Sequence, residues 1–242
     1  MKKYNYVSRR NFVAGTALFL SNSISMNNTF AGEQPSTKEN EKNTEKEVSA
    51  VEDLMREHGV LRRILFVYSE IARKLIAEPQ ASVYEPLDKA AQLFRDFGED
   101  YHEKALEEAY IFPAVSKTTG KASNYPVILI AQHRRGRELT DYIITATGRK
   151  EPYDRLMLSL AMDTFVRMYR PHAAREDTIV FPAWKQILTE EQLNEMSEKF
   201  EEIEHERFGE DGFEKAVKQI EDIEIQLGLE NLALFTAPPI KA

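Results

Sequence analysis

Apolar residues recur every three or four positions through most of the chain from Ala50 onward. In the first such stretch this spacing predicts a long amphipathic helix that ends at Pro79. Its stripe consists of Val51, Leu54, Met55, His58, Leu61, Leu65, Tyr68, Ala72 and Leu75. The same pattern predicts further helices at about 86–115, 127–147, 153–188, 190–208 and 212–228.

Turn-forming residues separate these helices. "KTTGKASNYP" and "GRKEP" indicate loops at 117–126 and 148–152, and "TEEQ" has the spacing of a capping box that opens the fifth helix. Four long amphipathic helices joined by short loops predict an all-α fold. We expect an up-down four-helix bundle with two additional C-terminal helices, which together form one domain at 50–228. The tail, 229–242, has no predicted element.

The first 31 residues have the pattern of an export signal peptide. Basic residues precede an apolar run at 12–20 that is too short to span a membrane as a helix, and Ala31 is a plausible cleavage position. "SRRNFVAG" resembles a bacterial twin-arginine signal, which exports folded proteins through the twin-arginine machinery. We therefore expect residues 1–31 to be this signal and the mature chain to be periplasmic or otherwise exported, without a membrane contact. A chance Arg pair in an ordinary secretion signal and an uncleaved anchor are the alternatives.

Composition narrows the chemistry that the domain can support. The chain has no cysteine, so disulfides, thiolate metal sites and cysteine nucleophiles are excluded, and a metal must be held by His and carboxylate groups. The net charge of -8, which becomes more negative without the basic leader, disfavours a nucleic-acid partner. Residues 32–49 are almost wholly polar and predict a disordered linker.

Four histidines lie one to each long helix, and each falls on the apolar stripe of its helix: His58, His102, His133 and His172. A single buried histidine is commonly satisfied by one or two protein partners. Four of them in one core need a shared partner, because burying an unpartnered polar group costs about 2 kcal/mol. A metal centre is the simplest such partner.

Carboxylates accompany two of these histidines in a repeated phrase, "DYHEKALEEAYIFPAV" and "YRPHAAREDTIVFPAW". Glu176 lies four residues after His172, about 40° around the helix, so both can face one ion, whereas Asp177 lies about 140° away and should face elsewhere unless the helix distorts. Aligning the phrases pairs Glu107 with Glu176 and Glu108 with Asp177. Imidazole and carboxylate ligands suit iron, manganese or zinc, and their number favours two irons over one zinc ion.

With these motifs the chain resembles the hemerythrin-like (HHE cation-binding) family over about 50–228. The matching motifs are "LMREHGVLRRIL", "DYHEKALEEAYIFP", "QHRRGREL" and "YRPHAAREDTIVFP". The resemblance implies a four-helix bundle around a non-haem di-iron centre, with two iron ions joined by an oxo or hydroxo bridge and by two glutamates. The ligands it implies are His58, His102, Glu107, His133, His172 and Glu176.

The chain departs from the family pattern in the third helix. Oxygen-carrying hemerythrins have a second histidine four residues after the first, and here that position is Arg137. One iron would then be more open, or would take a ligand from Glu103, Asp177 or His205. The departure favours redox chemistry over simple reversible oxygen carriage.

The second departure is the spacing of His102 and Glu107, which are five residues apart instead of four. On a regular helix the two side chains would diverge by about 140°. A π-bulge near Ala105 would restore a common face, and such bulges are frequent at functional sites. The alternative is that Glu103 supplies the ligand.

Three functions are consistent with this ligand set. The first is a di-iron protein that binds O2 or a related small ligand as sensor, store or scavenger. The second is a di-iron enzyme that consumes peroxide or nitric oxide. The third is a protein that holds iron or zinc without a redox role, and a metal-free bundle acting through its surface ranks below these.

Overall fold

The computed structural model describes residues 48–78, 80–148 and 154–240. The predicted export signal and nearly all of the predicted linker lie outside these residues. The described part of the chain is all-helical and contains no strand, so the predicted fold class is confirmed. Within that same part, no helix combines the length and the apolar character needed to cross a membrane.

The predicted helices are present, and two of them change their hydrogen-bonding pattern midway. The α-helices are α1 (Ala50–Ala77), α2 (Tyr84–Leu93), α3 (Phe112–Val115), α4 (Tyr125–Thr147), α5 (Arg155–Arg175), α6 (Phe181–Gln186), α7 (Glu190–Phe208) and α8 (Gly212–Leu227). A first π segment, Phe94–Ile111, joins α2 to α3, and a second, Glu176–Val180, joins α5 to α6. Short 3-10 helices cover Lys121–Asn124 and Leu232–Phe235.

Side-chain caps fix several helix starts. The Ser49 hydroxyl accepts a hydrogen bond from the Glu52 amide at 3.3 Å, and α1 begins at Ala50. The predicted capping box is confirmed: Thr189 Oγ1 accepts from the Gln192 amide at 3.2 Å, and Gln192 Oε1 accepts from the Thr189 amide at 2.9 Å. These bonds satisfy amide groups that have no partner within the first turn.

Contacts at two places along α1 show that α1 and α5 run in opposite directions. Near one end of α1, the Ser159 hydroxyl of α5 donates to the Ala72 carbonyl at 3.0 Å, and near the other end Asp177 bonds to His58. Aromatic side chains fill the core between these helices, including Tyr68, which packs edge-on against the Phe165 ring with their centroids 5.4 Å apart.

The last two long helices pack against the outside of this core. The Ser197 hydroxyl of α7 accepts from the Ala50 amide at 2.9 Å, at the start of α1. Arg63 of α1 forms an ion pair with Glu224 of α8, at 2.6 Å between Nη2 and Oε2. The C-terminal helices are therefore tied to α1 at more than one point.

Candidate metal centre

Four buried imidazoles converge in the core as two pairs. In one pair the Nε2 atoms of His133 and His172 are 3.1 Å apart. In the other pair the rings of His58 and His102 lie with their centroids 4.6 Å apart. Each pair joins two different long helices, so tertiary packing brings them together.

Glu107 lies between the two imidazole pairs. Its Oε1 is 3.4 Å from His102 Nε2, and its Oε2 is 3.4 Å from His133 Nε2. One carboxylate therefore presents one oxygen to each pair, which is the arrangement of a carboxylate that bridges two cations.

Glu176 occupies the matching position from the opposite helix. Its Oε1 is 3.0 Å from His172 Nε2, and its Oε2 is 3.6 Å from His58 Nε2. The ligand atoms near each pair are separated by about the distance expected for groups that share one ion at 2.0–2.2 Å. All six predicted ligands lie in one cluster, which contains two groups of atoms able to hold a cation: Glu107, His133, His172 and Glu176, and His58, His102 and Glu107.

The carboxylate oxygens of the two glutamates accept no hydrogen bond from the described part of the protein. Among the described residues, all four carboxylate oxygens of Glu107 and Glu176 are buried and accept no hydrogen bond, and His102 Nε2 also makes none. Each buried polar group left in this way costs about 1–3 kcal/mol, and more when it is charged. A pair of cations at these positions would satisfy every one of these atoms, so the residues fit the metal centre that the resemblance implies.

Each imidazole is held on its other side by a hydrogen bond from Nδ1. These partners are Asp177 for His58 at 2.7 Å, Glu57 for His102 at 2.7 Å, Glu108 for His133 at 2.9 Å and Gln132 for His172 at 2.8 Å. Since the partners are acceptor oxygens, the Nδ1 atoms donate and the Nε2 lone pairs face the centre. Such outer partners fix the orientation of metal-binding imidazoles.

These outer partners are mostly not apparent in the sequence. The spacing on a regular helix predicts that Asp177 faces away from the centre, and instead it holds His58 and pairs with Arg62. Nothing in the sequence marks Glu57 or Gln132 as an outer partner. Each is adjacent to a candidate ligand on its own helix, but the imidazole it contacts lies on a different helix. Only Glu108 has a signal, its pairing with Asp177 in the repeated phrase.

The two π segments place the glutamates on the ligand face. The extra residue between His102 and Glu107 is absorbed by the first π segment, as one of the two sequence interpretations required. The Phe112 amide bonds to the Glu107 carbonyl five residues earlier, and the Phe181 amide bonds to the Glu176 carbonyl in the same way. A Phe-Pro pair ends each segment, and proline disfavours regular α-helix immediately before it because it lacks an amide donor and clashes with the preceding turn.

The two remaining candidate ligands are not among these six side chains. Glu103 accepts from the Tyr169 hydroxyl at 2.5 Å and approaches the outer Nδ1 of His133 at 3.8 Å, and it forms with Glu108 and His133 a third group of atoms able to hold a cation. His205 is on α7 and belongs to none of the candidate ligand clusters in the described chain.

Arg137, at the position of the missing histidine, binds carboxylates. Its Nη2 donates to Glu108 Oε1 at 2.6 Å and to Glu103 Oε2 at 3.3 Å. The neighbouring Gly136 makes room for Tyr169, because a Cβ atom there would lie 2.3 Å from the tyrosine oxygen. Arg137 and Tyr169 thus both contact Glu103 beside the centre.

The electrostatics of the centre favour positive charge between the glutamates. Burial raises the pKa of Glu107, and the Glu176 carboxylate raises it further. Burial lowers the pKa of His102, but the Glu107 and Glu57 carboxylates together outweigh this effect, and the pKa lies well above its usual value. The pKa of His133 also rises, to about 9, because Glu103 and other carboxylates outweigh burial. Cations bound there would supply this positive charge.

A small cavity adjoins the centre on the side of α1 and α5. The cavity has a volume of about 10 Å³, measured as the space open to the centre of a water molecule. This is close to the minimum that holds one water. Its lining combines ligand side chains with Leu61, Arg62, Leu65, Glu103, Tyr169 and Ala173. Only a ligand of a few atoms fits there without movement of the helices.

The helical fold and the buried cluster of imidazoles and carboxylates define a metal-binding helical bundle. Residues 49–184 match the Hemerythrin HHE cation binding domain, and the chain belongs to this family. The matched region contains every side chain of the proposed cluster and ends before α7.

Two mycobacterial proteins illustrate the similarity at the level of the whole chain. The uncharacterized protein Rv1995 of Mycobacterium tuberculosis and the uncharacterized protein Mb2018 of Mycobacterium bovis are each 45% identical to this chain over 192 residues. The alignment covers 78% of this chain and 74% of each relative. No solved structure matches the chain.

Proposed function

We propose that this protein holds two iron ions in its core and binds O2 or a related small ligand there, as a sensor, store or scavenger. The observation that carries the proposal is the placement of Glu107 and Glu176. Each carboxylate faces both imidazole pairs, and its oxygens have no hydrogen-bond donor among the described residues. A single cation would leave half of this arrangement unsatisfied.

The donor set supports iron as the metal. The chain has no thiolate, and imidazole with carboxylate is a ligand set that iron, manganese and zinc accept. Two imidazoles and two carboxylate oxygens near each position leave coordination places open for a ligand. When bound, a pair of iron ions would supply electron exchange with a small oxygen-containing molecule.

The chain's own residues determine what reaches the centre. Leu61, Leu65 and Ala173 present apolar surface to a cavity that fits a ligand of a few atoms. Tyr169 also lines the cavity, but its hydroxyl proton is directed to Glu103. The small size of this cavity favours O2, peroxide or nitric oxide over larger substrates.

The second candidate is an enzyme that consumes peroxide or nitric oxide. The observation that favours it is Arg137, which donates to Glu103 and Glu108 where a histidine ligand would lie in an oxygen carrier. Loss of that ligand leaves one position more open to a reacting molecule.

We infer that four long helical segments form an up-down bundle. They are α1, α2 with the first π segment and α3, α4, and α5 with the second π segment and α6. Contacts near both ends of α1 support opposite directions for α1 and α5, and the Gly136–Tyr169 and Gln132–His172 contacts support the same for α4 and α5. Facing helices in such bundles commonly supply inward glutamate and histidine ligands for paired metals.

We also propose that the mature chain works in the bacterial periplasm or outside the cell. Support comes from the basic and apolar pattern of residues 1–31 and the Arg pair within it. Export of a folded, loaded protein would protect the centre from exchange, because zinc and copper bind such ligands more tightly than ferrous iron does.

Anaerobic reconstitution with ferrous iron tests the function. We expect about two irons per chain, as for paired-metal bundle sites, and a reversible absorption band on addition of O2. Rapid turnover of peroxide or nitric oxide would establish the enzyme instead, and preferential retention of zinc without a redox response would establish the third hypothesis. Glu176→Ala should abolish paired binding, whereas Asp163→Ala, an exposed carboxylate on the same helix, should not. An unchanged iron content in Glu176→Ala would refute the site.

A further inference from the structure

The C-terminal helices contact the site through a buried carboxylate, Glu204 of α7. Its side chain is in the core, and its Oε1 accepts a hydrogen bond from the Phe213 amide at the start of α8, at 2.7 Å. Neither residue lies in the region that matches the cation-binding family. The second oxygen of Glu204 points in the other direction, toward the bundle.

From Glu204 a series of close polar contacts leads to a metal ligand. The Tyr101 hydroxyl lies 3.4 Å from Glu204 Oε2 and donates to Glu57 Oε1 at 2.9 Å. Glu57 Oε2 then accepts from His102 Nδ1 at 2.7 Å. Every side chain of this relay is buried, so water does not compete effectively for these bonds.

The fold provides a fitted seat for Glu204. A Cβ atom at Gly212 would lie 2.7 Å from Glu204 Oε1 and 2.8 Å from its Cγ, so only glycine allows the carboxylate to rest there. On α7, Phe208 also packs edge-on against the Tyr101 ring, with their centroids 5.4 Å apart. The C-terminal helices thus restrain both the ring and the hydroxyl of Tyr101.

We propose that α7 and α8 are a positioning element for one half of the metal centre. Glu204 and Phe208 fix Tyr101, Tyr101 orients Glu57, and Glu57 fixes the ring of His102. The relay reaches the half formed by His58 and His102. This inference rests on metal binding by the cluster, and it does not depend on which small molecule the centre binds.

The other half is supported from within the bundle. The outer partner of His133 is Glu108, which Arg137 holds, and the outer partner of His172 is Gln132. Breaking the relay at Tyr101 or Glu204 should therefore affect the two ions unequally, whereas a general loss of stability would affect both.

Tyr101→Phe tests the relay in the full-length chain, because it removes only the hydroxyl. In titrations with Co²⁺, we expect one of two ions to bind about tenfold more weakly, at the lower end of the effect of outer-partner loss. The second ion should keep its affinity, and the cobalt absorption spectrum should change for the weakened site only. Gly212→Ala, which displaces Glu204, should give the same pattern.

Glu224→Gln is the matched control. It weakens the attachment of α8 to Arg63 without touching the relay. In this variant both ions should bind with wild-type affinity. The proposal would be overturned if Tyr101→Phe bound both ions with wild-type affinity. It would also be overturned if Glu224→Gln weakened metal binding as much as Tyr101→Phe does.

A measurement on the metal-free chain keeps the two proposals separable. The Nδ1 proton of His102 should give a slowly exchanging, downfield NMR signal in wild type and in Glu224→Gln, and a rapidly exchanging one in Tyr101→Phe. If wild type bound no metal, the proposed function would fail, and this signal would still decide whether the relay orders His102. An identical signal in all three proteins would reject the relay.

Discussion

Replacing Gly136 by alanine should displace Tyr169 from its seat beside the centre. The new Cβ would lie 2.3 Å from the tyrosine oxygen, 2.9 Å from Cε2 and 3.0 Å from Cζ. The ring is buried and stacked on Phe165 with 4.6 Å between centroids, so it cannot move away freely. The hydroxyl must leave Glu103 Oε1, or the α4 backbone must shift away from α5.

The cost can be worked out from three contributions. Overpacking of this kind costs about 1–3 kcal/mol. Loss of the hydrogen bond to the buried Glu103 carboxylate costs about 1.5–3 kcal/mol. Alanine in place of glycine inside a helix returns about 1 kcal/mol. We therefore expect Gly136→Ala to lower the free energy of unfolding by about 1.5–5 kcal/mol.

Urea unfolding in the presence of a chelator measures this effect without a contribution from metal. Tyr169→Phe should cost about 1.5–3 kcal/mol by itself, because it leaves Glu103 without that donor. The double variant should be less destabilised than the sum, since both changes break the same bond and Phe removes the closest atom. Gly59→Ala is the control: a Cβ atom there would have nothing within 4 Å, so this variant should be neutral or stabilising. If the destabilisation of the double variant equalled the sum of the two single variants, the two changes would not break the same bond and the reasoning would be refuted.

Two further predictions concern charged groups around the centre. Burial, with Glu103 nearby, raises the pKa of Glu99 to about 8, so the native chain holds a proton that the unfolded chain loses near pH 4.5. In the presence of a chelator, the free energy of unfolding of wild type should therefore fall between pH 6 and 9 by up to about 3 kcal/mol more than that of Glu99→Gln. If the two proteins lost the same stability, Glu99 would be ionised in the native state. Asp177→Asn should weaken metal binding about tenfold or more, because it loosens the hydrogen bond that orients His58. Cobalt titration would measure this loss, and Asp163→Asn, at an exposed position, should not show it. Equal affinities in the two variants would contradict this role of Asp177.

The helix pattern could be predicted from sequence because it depends on local periodicity. Each stripe of apolar residues marks the face that a helix buries, and the long helices begin and end close to the predicted positions. His58, His102, His133 and His172 lie on those stripes, so their inward direction also followed from spacing. The five-residue gap before Glu107 even indicated a local π distortion, which the first π segment contains.

The second π segment could not be predicted in this way. His172 and Glu176 already have the spacing of a regular helix, so nothing in that pair required a distortion. The prediction that Asp177 faces elsewhere applied to an undistorted helix, and in the π segment Asp177 accepts a hydrogen bond from the outer Nδ1 of His58. The only signal was the Phe-Pro pair shared with the first phrase, and proline position alone does not specify which hydrogen-bonding pattern precedes it.

The sequence by itself determined the helices, the inward histidines and the two carboxylates that could join them, because these depend on angles within one helix. The tertiary structure decided which imidazoles form a pair and which oxygen each one faces. It also decided that Glu57, Gln132, Glu108 and Asp177 hold the rings from outside. No spacing encodes these contacts, because each joins residues from separate helices whose rotation and height are set only when the cores pack together.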